Sequence, residues 1–346
     1  MIPLSSPQKI LSSYPCSTQA SVKISQSRFE IEQIISGKDP RLLLIVGPCS
    51  IHDLKSAREY AKNLKELSKN VEDCFLLVMR CYFEKARSLG SWKGFAYDPH
   101  LDNSCDMETA FKEIRLFFLE LAEIGLPTAM EFLDPNLPPY FQDLISWGSI
   151  GARTSSSQTH RQMASSLPMP VGFKNTIDGN INIAIDAAEV AAMPHSYPAI
   201  NQAGQLSQIH SKGNLYSHII LRGSLLKPNY NKESIHSTIS ALEKRKLNSN
   251  LIIDCSHGNS RKDASSQSTV FQSVLQERLS PNPHIIGMML ESYLYGGKQN
   301  LTPPIEELAY GVSITDSCID WEDTEILINK AAQKFTPSCQ LKTSTY

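Results

Sequence analysis

The chain has 346 residues, 41% of them hydrophobic, with 33 Lys+Arg against 35 Asp+Glu. That length and apolar content allow a large core without disulfides or zinc, and the near-balance of charge argues against disorder and against a dedicated nucleic-acid binder, which would be basic overall. The N-terminus, MIPLSSPQKILSSYP, lacks a charged start followed by an apolar core, no apolar run is long enough for a bilayer, and the eight cysteines form no Cys-x-x-Cys pair, so a cytoplasmic protein with reduced thiols and no membrane partner is expected.

Residues 1–40 read as an N-terminal arm in which Ile24–Ile35 forms a helix with Ile31, Ile34 and Ile35 on one side, suited to packing or subunit contact. Eight short apolar runs follow: Leu42–Val46, Phe75–Met79, Thr128–Phe132, Ile150–Ala152, Val171–Phe173, Ile219–Leu221, Leu251–Ile253 and Ile285–Leu290. Such runs suit strands buried on both faces of a parallel sheet. Between them Ser56–Leu67, Ala110–Ile124, Ile181–Ala192, Ser234–Leu242 and Asp263–Leu279 carry apolar residues at helical spacing, and Trp321–Ala332 follows the last run. Repeated strand–helix alternation predicts an α/β protein, a (β/α)8 TIM barrel over residues 41–336, with a loop or hairpin inserted near 195–217 and a C-terminal tail at 337–346. An open doubly wound sheet is the alternative, but no Gly-x-Gly-x-x-Gly follows the first run.

Each predicted strand is followed, or interrupted near its end, by polar residues. The first gives GPCSIHD at 47–53, the second Arg80, Lys85 and Arg87, the third Glu131, the fourth Arg153, and the fifth Lys174. The sixth gives Arg222, the seventh Asp254 and His257, and the eighth Glu291, with Asp316 beyond it. In a barrel these ends share the C-terminal face, where barrel enzymes build their sites. Arg80, Lys85, Arg153, Lys174 and Arg222 would repel one another unless an anion sits among them, so a ligand bearing phosphate and carboxylate is expected. Lys174 has a second reading as a Schiff-base nucleophile. Cys49, His257, Glu291 and Asp316 offer a mixed sulfur, nitrogen and oxygen set for a divalent transition metal such as Mn, Fe or Co.

Long motifs run through the chain in order: GPCSIHD at 47–53, MR-x-YFEK at 79–85, DPHLDNS at 98–104, EFLD at 131–134, SWG-x-IGART at 146–154, PVGFKN at 170–175, HIILRG at 218–223, IID-x-SHGNS at 252–260 and LAYG-x-SITD-x-CI at 308–319. On these, over roughly residues 30–335, the sequence resembles the class I (alpha-type) 3-deoxy-7-phosphoheptulonate synthases. The resemblance implies a metal-dependent condensation of phosphoenolpyruvate with erythrose 4-phosphate at the entry to the shikimate pathway. It implies Cys49, His257, Glu291 and Asp316 as metal ligands. Arg80, Lys85 and Lys174 match the phosphoenolpyruvate carboxylate cluster, Arg153 and Arg222 its phosphate clamp, Glu131 a carboxylate lining that pocket, and Arg87 and Ser88 the erythrose 4-phosphate site. Lys85 is the candidate for proton transfer, and His160 a weaker relay candidate.

A homo-oligomer, dimer or tetramer, and feedback control by an aromatic amino acid are further implied. Two departures stand out. The loop Lys85-Ala86-Arg87-Ser88 replaces the family's Lys-Pro-Arg-Thr, so it loses a proline's fixed backbone angle. Pro168 and Ala199 replace serines of the Phe-sensitive form, so the effector is not readable from the sequence. The sibling 3-deoxy-manno-octulosonate 8-phosphate synthase is the closest alternative activity, and a barrel that only binds is the non-enzymatic one.

Overall fold

A computed structural model of the chain describes residues 2–87, 91–280, 282–301 and 304–335. The predicted runs become β1 (Leu42–Gly47), β2 (Phe75–Arg80), β3 (Thr128–Glu131), β4 (Trp147–Ile150) and β5 (Val171–Lys174). A hairpin of β6 (Ser196–Ile200) and β7 (Leu206–His210) intervenes before β8 (His218–Leu221), β9 (Leu251–Asp254) and β10 (Ile285–Glu291). The sheet order β1-β10-β9-β8-β5-β4-β3-β2 closes on itself, with Leu44 opposite Met288 on one side and Leu77 on the other. This is the (β/α)8 barrel expected from the alternation.

The strands read as unbroken apolar runs because both faces are covered. On β1, Leu42, Leu44 and Val46 belong to the outer layer shared with the helices, while Leu43 and Ile45 belong to the barrel interior with Val78, Ile220, Ile252 and Met289. The helices are α1 (Pro7–Ser13), α2 (Thr18–Ile35), α3 (Leu54–Val71), α4 (Met107–Ile124), α5 (Pro138–Phe141), α6 (Gln158–Ser166), α7 (Ile181–Ala191), α8 (Lys232–Lys244), α9 (Ser266–Leu279) and α10 (Trp321–Lys334). Asp53, the last residue of the GPCSIHD motif, caps α3 by accepting from the Lys55 and Ser56 N–H groups. It thereby satisfies donors that a helix start otherwise leaves unpaired.

Three differences from the sequence reading have physical causes. The fourth strand is Trp147–Ile150, three residues earlier than the run Ile150–Ala152 suggested. Gly148 and Ser149 interrupt its apolar pattern, but a Cβ on Gly148 would meet Phe132 at 2.9 Å, and the Ser149 hydroxyl lies 3.0 Å from the Tyr82 hydroxyl. Helix α9 starts at Ser266 rather than Asp263, because the Asp263 carboxylate accepts from the Ser265 N–H and from the Ser265 and Ser266 hydroxyls in a turn. Finally, the arm holds two helices where one was expected, and the second begins at Thr18 and packs on the barrel. Ile31, Ile34 and Ile35 are fully buried among the interior residues of the barrel. Each contributes on the order of 1.5–3 kcal/mol of burial. The side chains of Asn248 and Asn250, which lead into β9, both donate to the Ile35 carbonyl, so α2 closes the N-terminal end of the barrel.

The excursion at 195–217 contains the predicted hairpin, with Ser196 paired to His210 and Ile200 to Leu206. The Asn201 side chain accepts from the Ala203 and Gln205 N–H groups, and Gly204 takes a left-handed φ of 78° to turn the chain. Among the described residues, no helix is long and apolar enough to cross a membrane. The expected tail at 337–346 lies outside the described residues.

Candidate active site

The register of the barrel carries Arg80, Glu131, Lys174, Asp254 and Glu291 as the last residues of β2, β3, β5, β9 and β10. They therefore rise together at one end. Above them is a cavity of about 320 Å³ bordered by the cations Lys85, Arg87, Arg153, Lys174, Arg222 and Lys262 and by Glu131, His257 and Asp316. Eight predicted site residues thus meet at one space. Arg80, Cys49 and Glu291 lie beneath its floor, and Ser88 lies outside the described residues.

Cys49, Glu291 and Asp316 present donor atoms all within 4.8 Å of one another. The Glu291 carboxylate is 3.6 Å from His257 Nε2 and 3.0 Å from the Arg80 guanidinium. The fourth predicted ligand, His257, thus reaches the group through Glu291 rather than standing inside the 4.8 Å cluster. Its other nitrogen, Nδ1, lies 2.9 Å from the buried carboxylate of Asp254. Nδ1 also lies 2.6 Å from the Ser256 hydroxyl, which itself donates to Asp254, so Ser256 accepts from an Nδ1–H and the Nε2 lone pair is left facing Glu291, the arrangement metal-binding imidazoles use. Burial, and then Glu291, push the Cys49 thiol up to about 11, although Lys85 Nζ sits 2.7 Å from its sulfur. For Asp316, burial works upward but is outweighed by Lys85, His257, Lys262 and Arg87, and its carboxyl lies below the ordinary range. A thiol, two carboxylates and an imidazole with a buried carboxylate behind it fit a divalent transition metal in donor type and convergence.

The cations are held by specific partners. Lys174 is 3% exposed, and its Nζ lies 3.1 Å from Asp254 and 4.0 Å from Glu131. Burial disfavours its charge, but Asp254, Tyr82 and Glu131 outweigh burial and hold it protonated. Arg80 has no exposed surface. It donates to Glu291, contacts Met289 Sδ and the Pro48 carbonyl, and lies 4.1 Å over the Tyr82 ring. Arg222 is lowered by burial and by the field of Arg153, partly offset by Asp254. Its backbone N–H donates to the buried Asn175 side chain, which Asn229 also engages. Arg87 donates to the Trp92 carbonyl and still borders the cavity. His160 does not border it. Its Nε2 donates to the Leu133 carbonyl at 2.7 Å and its Nδ1 pairs with Ser157 at 2.8 Å, so both ring nitrogens are engaged in holding the segment after β3.

Several residues acquire roles that the sequence did not assign. Asp254 was visible only as a polar strand end, and its pairing with both Lys174 and His257 is a tertiary fact. Tyr82, inside the MR-x-YFEK motif, forms the face on which Arg80 lies. Glu84 in the same motif is buried, and its carboxylate accepts from the Leu133 and Asp134 N–H groups and the Tyr97 hydroxyl. It ties the loop bearing Lys85 to the loop after Glu131. Lys262 reaches the cavity from the turn after β9. Two of these pairings are local, Asp254 with His257 three residues on and Tyr82 with Arg80 two residues back, whereas Asp254 with Lys174 and Glu84 with the segment after β3 join distant parts of the chain.

Comparison with known proteins agrees with this geometry. The DAHP synthetase I family model matches residues 15–329. The Tyr-sensitive phospho-2-dehydro-3-deoxyheptonate aldolase of Escherichia coli K12 is 47% identical over 330 residues, which cover 95% of this chain and 92% of that protein. The Phe-sensitive protein of the same bacterium is 43% identical over 326 residues, covering 94% and 93%. A solved phospho-2-dehydro-3-deoxyheptonate aldolase structure from Francisella tularensis SCHU S4 superposes with a TM-score of 0.93 at 40% identity, covering 96% of this chain and 98% of that one.

Proposed function

Because the chain belongs to the DAHP synthetase I family, we propose that it is a 3-deoxy-7-phosphoheptulonate synthase condensing phosphoenolpyruvate with erythrose 4-phosphate and water, to give 3-deoxy-D-arabino-heptulosonate 7-phosphate and phosphate. The observation that carries this reading is the meeting of Lys85, Arg153, Lys174 and Arg222 in one cavity with Asp316, whose carboxylate converges with the Cys49 and Glu291 donors. Arg153 and Arg222 are suited to clamp the phosphate of phosphoenolpyruvate, and Lys174 and Lys85 to hold its carboxylate, with Arg80 adding positive charge from beneath. This fixes carbon 3 toward the second substrate and lowers the entropic cost of bringing two reactants together. A divalent metal held by Cys49, His257, Glu291 and Asp316 would supply Lewis acidity toward the aldehyde.

Lys85 stands where the aldehyde oxygen gains charge. Burial works against its ammonium form, but Cys49, Glu291 and Asp316 outweigh it and hold the proton on Nζ. It can therefore donate to the oxygen as the new carbon–carbon bond forms. Water then adds at carbon 2 and phosphate leaves. Arg87 with Ser88 is assigned the phosphate of erythrose 4-phosphate. The Schiff-base reading of Lys174 requires a neutral amine, and Asp254 at 3.1 Å argues against one.

The same reading places the protein in the cytoplasm, at the entry to the shikimate pathway, as a homo-oligomer in which the 1–40 arm contributes contacts beside the 41–336 barrel. Relatives named Tyr-sensitive and Phe-sensitive support feedback control by an aromatic amino acid. The test is a phosphate-release assay with phosphoenolpyruvate, run in parallel with erythrose 4-phosphate and arabinose 5-phosphate, with and without a chelator. Release with erythrose 4-phosphate alone, stopped by the chelator and restored by metal, is expected. Cys49→Ala should lose bound metal by elemental analysis and at least about 100-fold in turnover, since Lewis-acid assistance is worth several kcal/mol. Full activity of that variant would remove the metal assignment.

A further inference from the structure

Resting on the reading above, we infer that Lys262 is a specificity-determining residue for the second substrate, binding the phosphate of erythrose 4-phosphate in the cavity it shares with Arg87.

Three observations lead there. The first is position. Lys262 borders the same cavity as Arg87, Lys85 and Asp316. Its charge, with those of Lys85 and Arg87, is felt by the Asp316 carboxylate. Among the cations bordering that cavity, Lys262 is the one to which the synthase reading gives no substrate group. The second observation is charge. A sugar phosphate carries about −1.5 to −2 at neutral pH. Phosphoenolpyruvate has two guanidiniums for its phosphate, while the erythrose 4-phosphate site has so far been given only Arg87 as a cation. Lys262 supplies the second.

The third observation is backbone conformation. His257, Arg261 and Lys262 take left-handed φ values of 55°, 54° and 62° within one turn, closed by the Lys262 N–H donating to the His257 carbonyl at 2.8 Å. A left-handed conformation costs a residue with a Cβ on the order of 1 kcal/mol or more, and such strain persists where surrounding structure enforces it, commonly at ligand clamps. The turn that presents His257 to the metal donors thus also carries Lys262 to the cavity. Asparagine or glycine would occupy the position more cheaply, and neither could reach a phosphate with a positive charge.

The experiment uses the full chain loaded with metal and measures KM for each substrate separately. Lys262→Met should raise KM for erythrose 4-phosphate by about 10-fold or more, the loss of about 1.4 kcal/mol of binding, while KM for phosphoenolpyruvate stays within about 2-fold. Lys262→Arg should restore most of the affinity, which a purely structural role would not predict. In a second arm, erythrose 4-phosphate is titrated calorimetrically into the protein without turnover, where Lys262→Met should weaken binding by a similar factor. An unchanged KM for erythrose 4-phosphate in Lys262→Met, or an equal rise for phosphoenolpyruvate, overturns the assignment while leaving the synthase reading intact. A wild-type chain that neither binds nor consumes erythrose 4-phosphate overturns the synthase reading itself.

Discussion

Asp254 faces Lys174 and His257 with the same carboxylate oxygen, at 3.1 Å and 2.9 Å, so one fully buried acid serves both an ammonium and an imidazole that border the cavity. Its other oxygen accepts from the Ser256 N–H and hydroxyl. Burial alone would push the Asp254 carboxyl up, but His257 and Lys174 outweigh it and hold it well below the carboxylate range.

Asp254→Asn removes that shared charge. It leaves Lys174 buried without its nearest counter-ion, and it frees the His257 ring to adopt the other tautomer. Breaking a buried pair from one side costs about 3–5 kcal/mol of stability, and losing the partner behind a metal-binding imidazole costs about 10–100-fold in metal affinity or activity. We expect weaker metal retention on dialysis, a higher KM for phosphoenolpyruvate and a lower denaturation midpoint together. If metal binding falls with KM unchanged, Asp254 serves the imidazole alone.

Gly151→Ala tests the acidic wall of the cavity. A Cβ on Gly151 would lie 2.3 Å from Glu131 Oε1, the mobile end of a side chain, so the carboxylate must turn away. Glu131 stands 4.0 Å from Lys174. The expected result is a rise of about 3- to 10-fold in KM for phosphoenolpyruvate, or roughly 0.7–1.4 kcal/mol, with little change in urea midpoint. A large loss of stability with unchanged KM would show that the backbone gave way instead of the side chain.

The stability of the fold should fall in acid through His218, which lies in the barrel away from the metal donors. Its Nδ1–H donates to the Tyr216 carbonyl, and its Nε2 accepts from the Trp147 indole at 3.2 Å, so only the neutral ring satisfies both partners. Burial lowers its pKa from 6.5 to about 4, against the pull of the Tyr216 carbonyl. Between those values the unfolded chain binds the proton and the folded chain does not. The contribution of His218 is therefore complete above about pH 6.5 and lost as pH falls through about 4, amounting to about 3 kcal/mol. Urea unfolding at pH 7 and pH 4.5 checks this. His218→Gln should be less stable than wild type at pH 7 yet lose less on acidification, and equal acid losses in both proteins would refute the assignment.

The barrel and most of the residues that border its cavity were legible because both depend on local pattern. A strand covered on both faces must be apolar at every position, so Leu42–Val46 and Ile285–Leu290 announce themselves. Where the chain needed a small residue between barrel and helices, at Gly148, and a polar one at Ser149, the pattern broke and the strand was misplaced by three residues. The arm was legible in part: three isoleucines on one helix face show that the face packs, but not that it closes the end of a barrel.

The sequence by itself determined the order of strands and helices, the motifs at the strand ends and the chemical types that gather there, since each is a property of residues near one another in the chain. Tertiary structure alone decided which charges neutralise which. Lys174 answers to Asp254 eighty residues later in the sequence, Lys85 to Cys49, Arg80 to Glu291 and Tyr82, and Lys262 to the cavity of Arg87. Coulomb energies depend on distances of a few ångströms and on burial, and closing eight strands into a ring sets both.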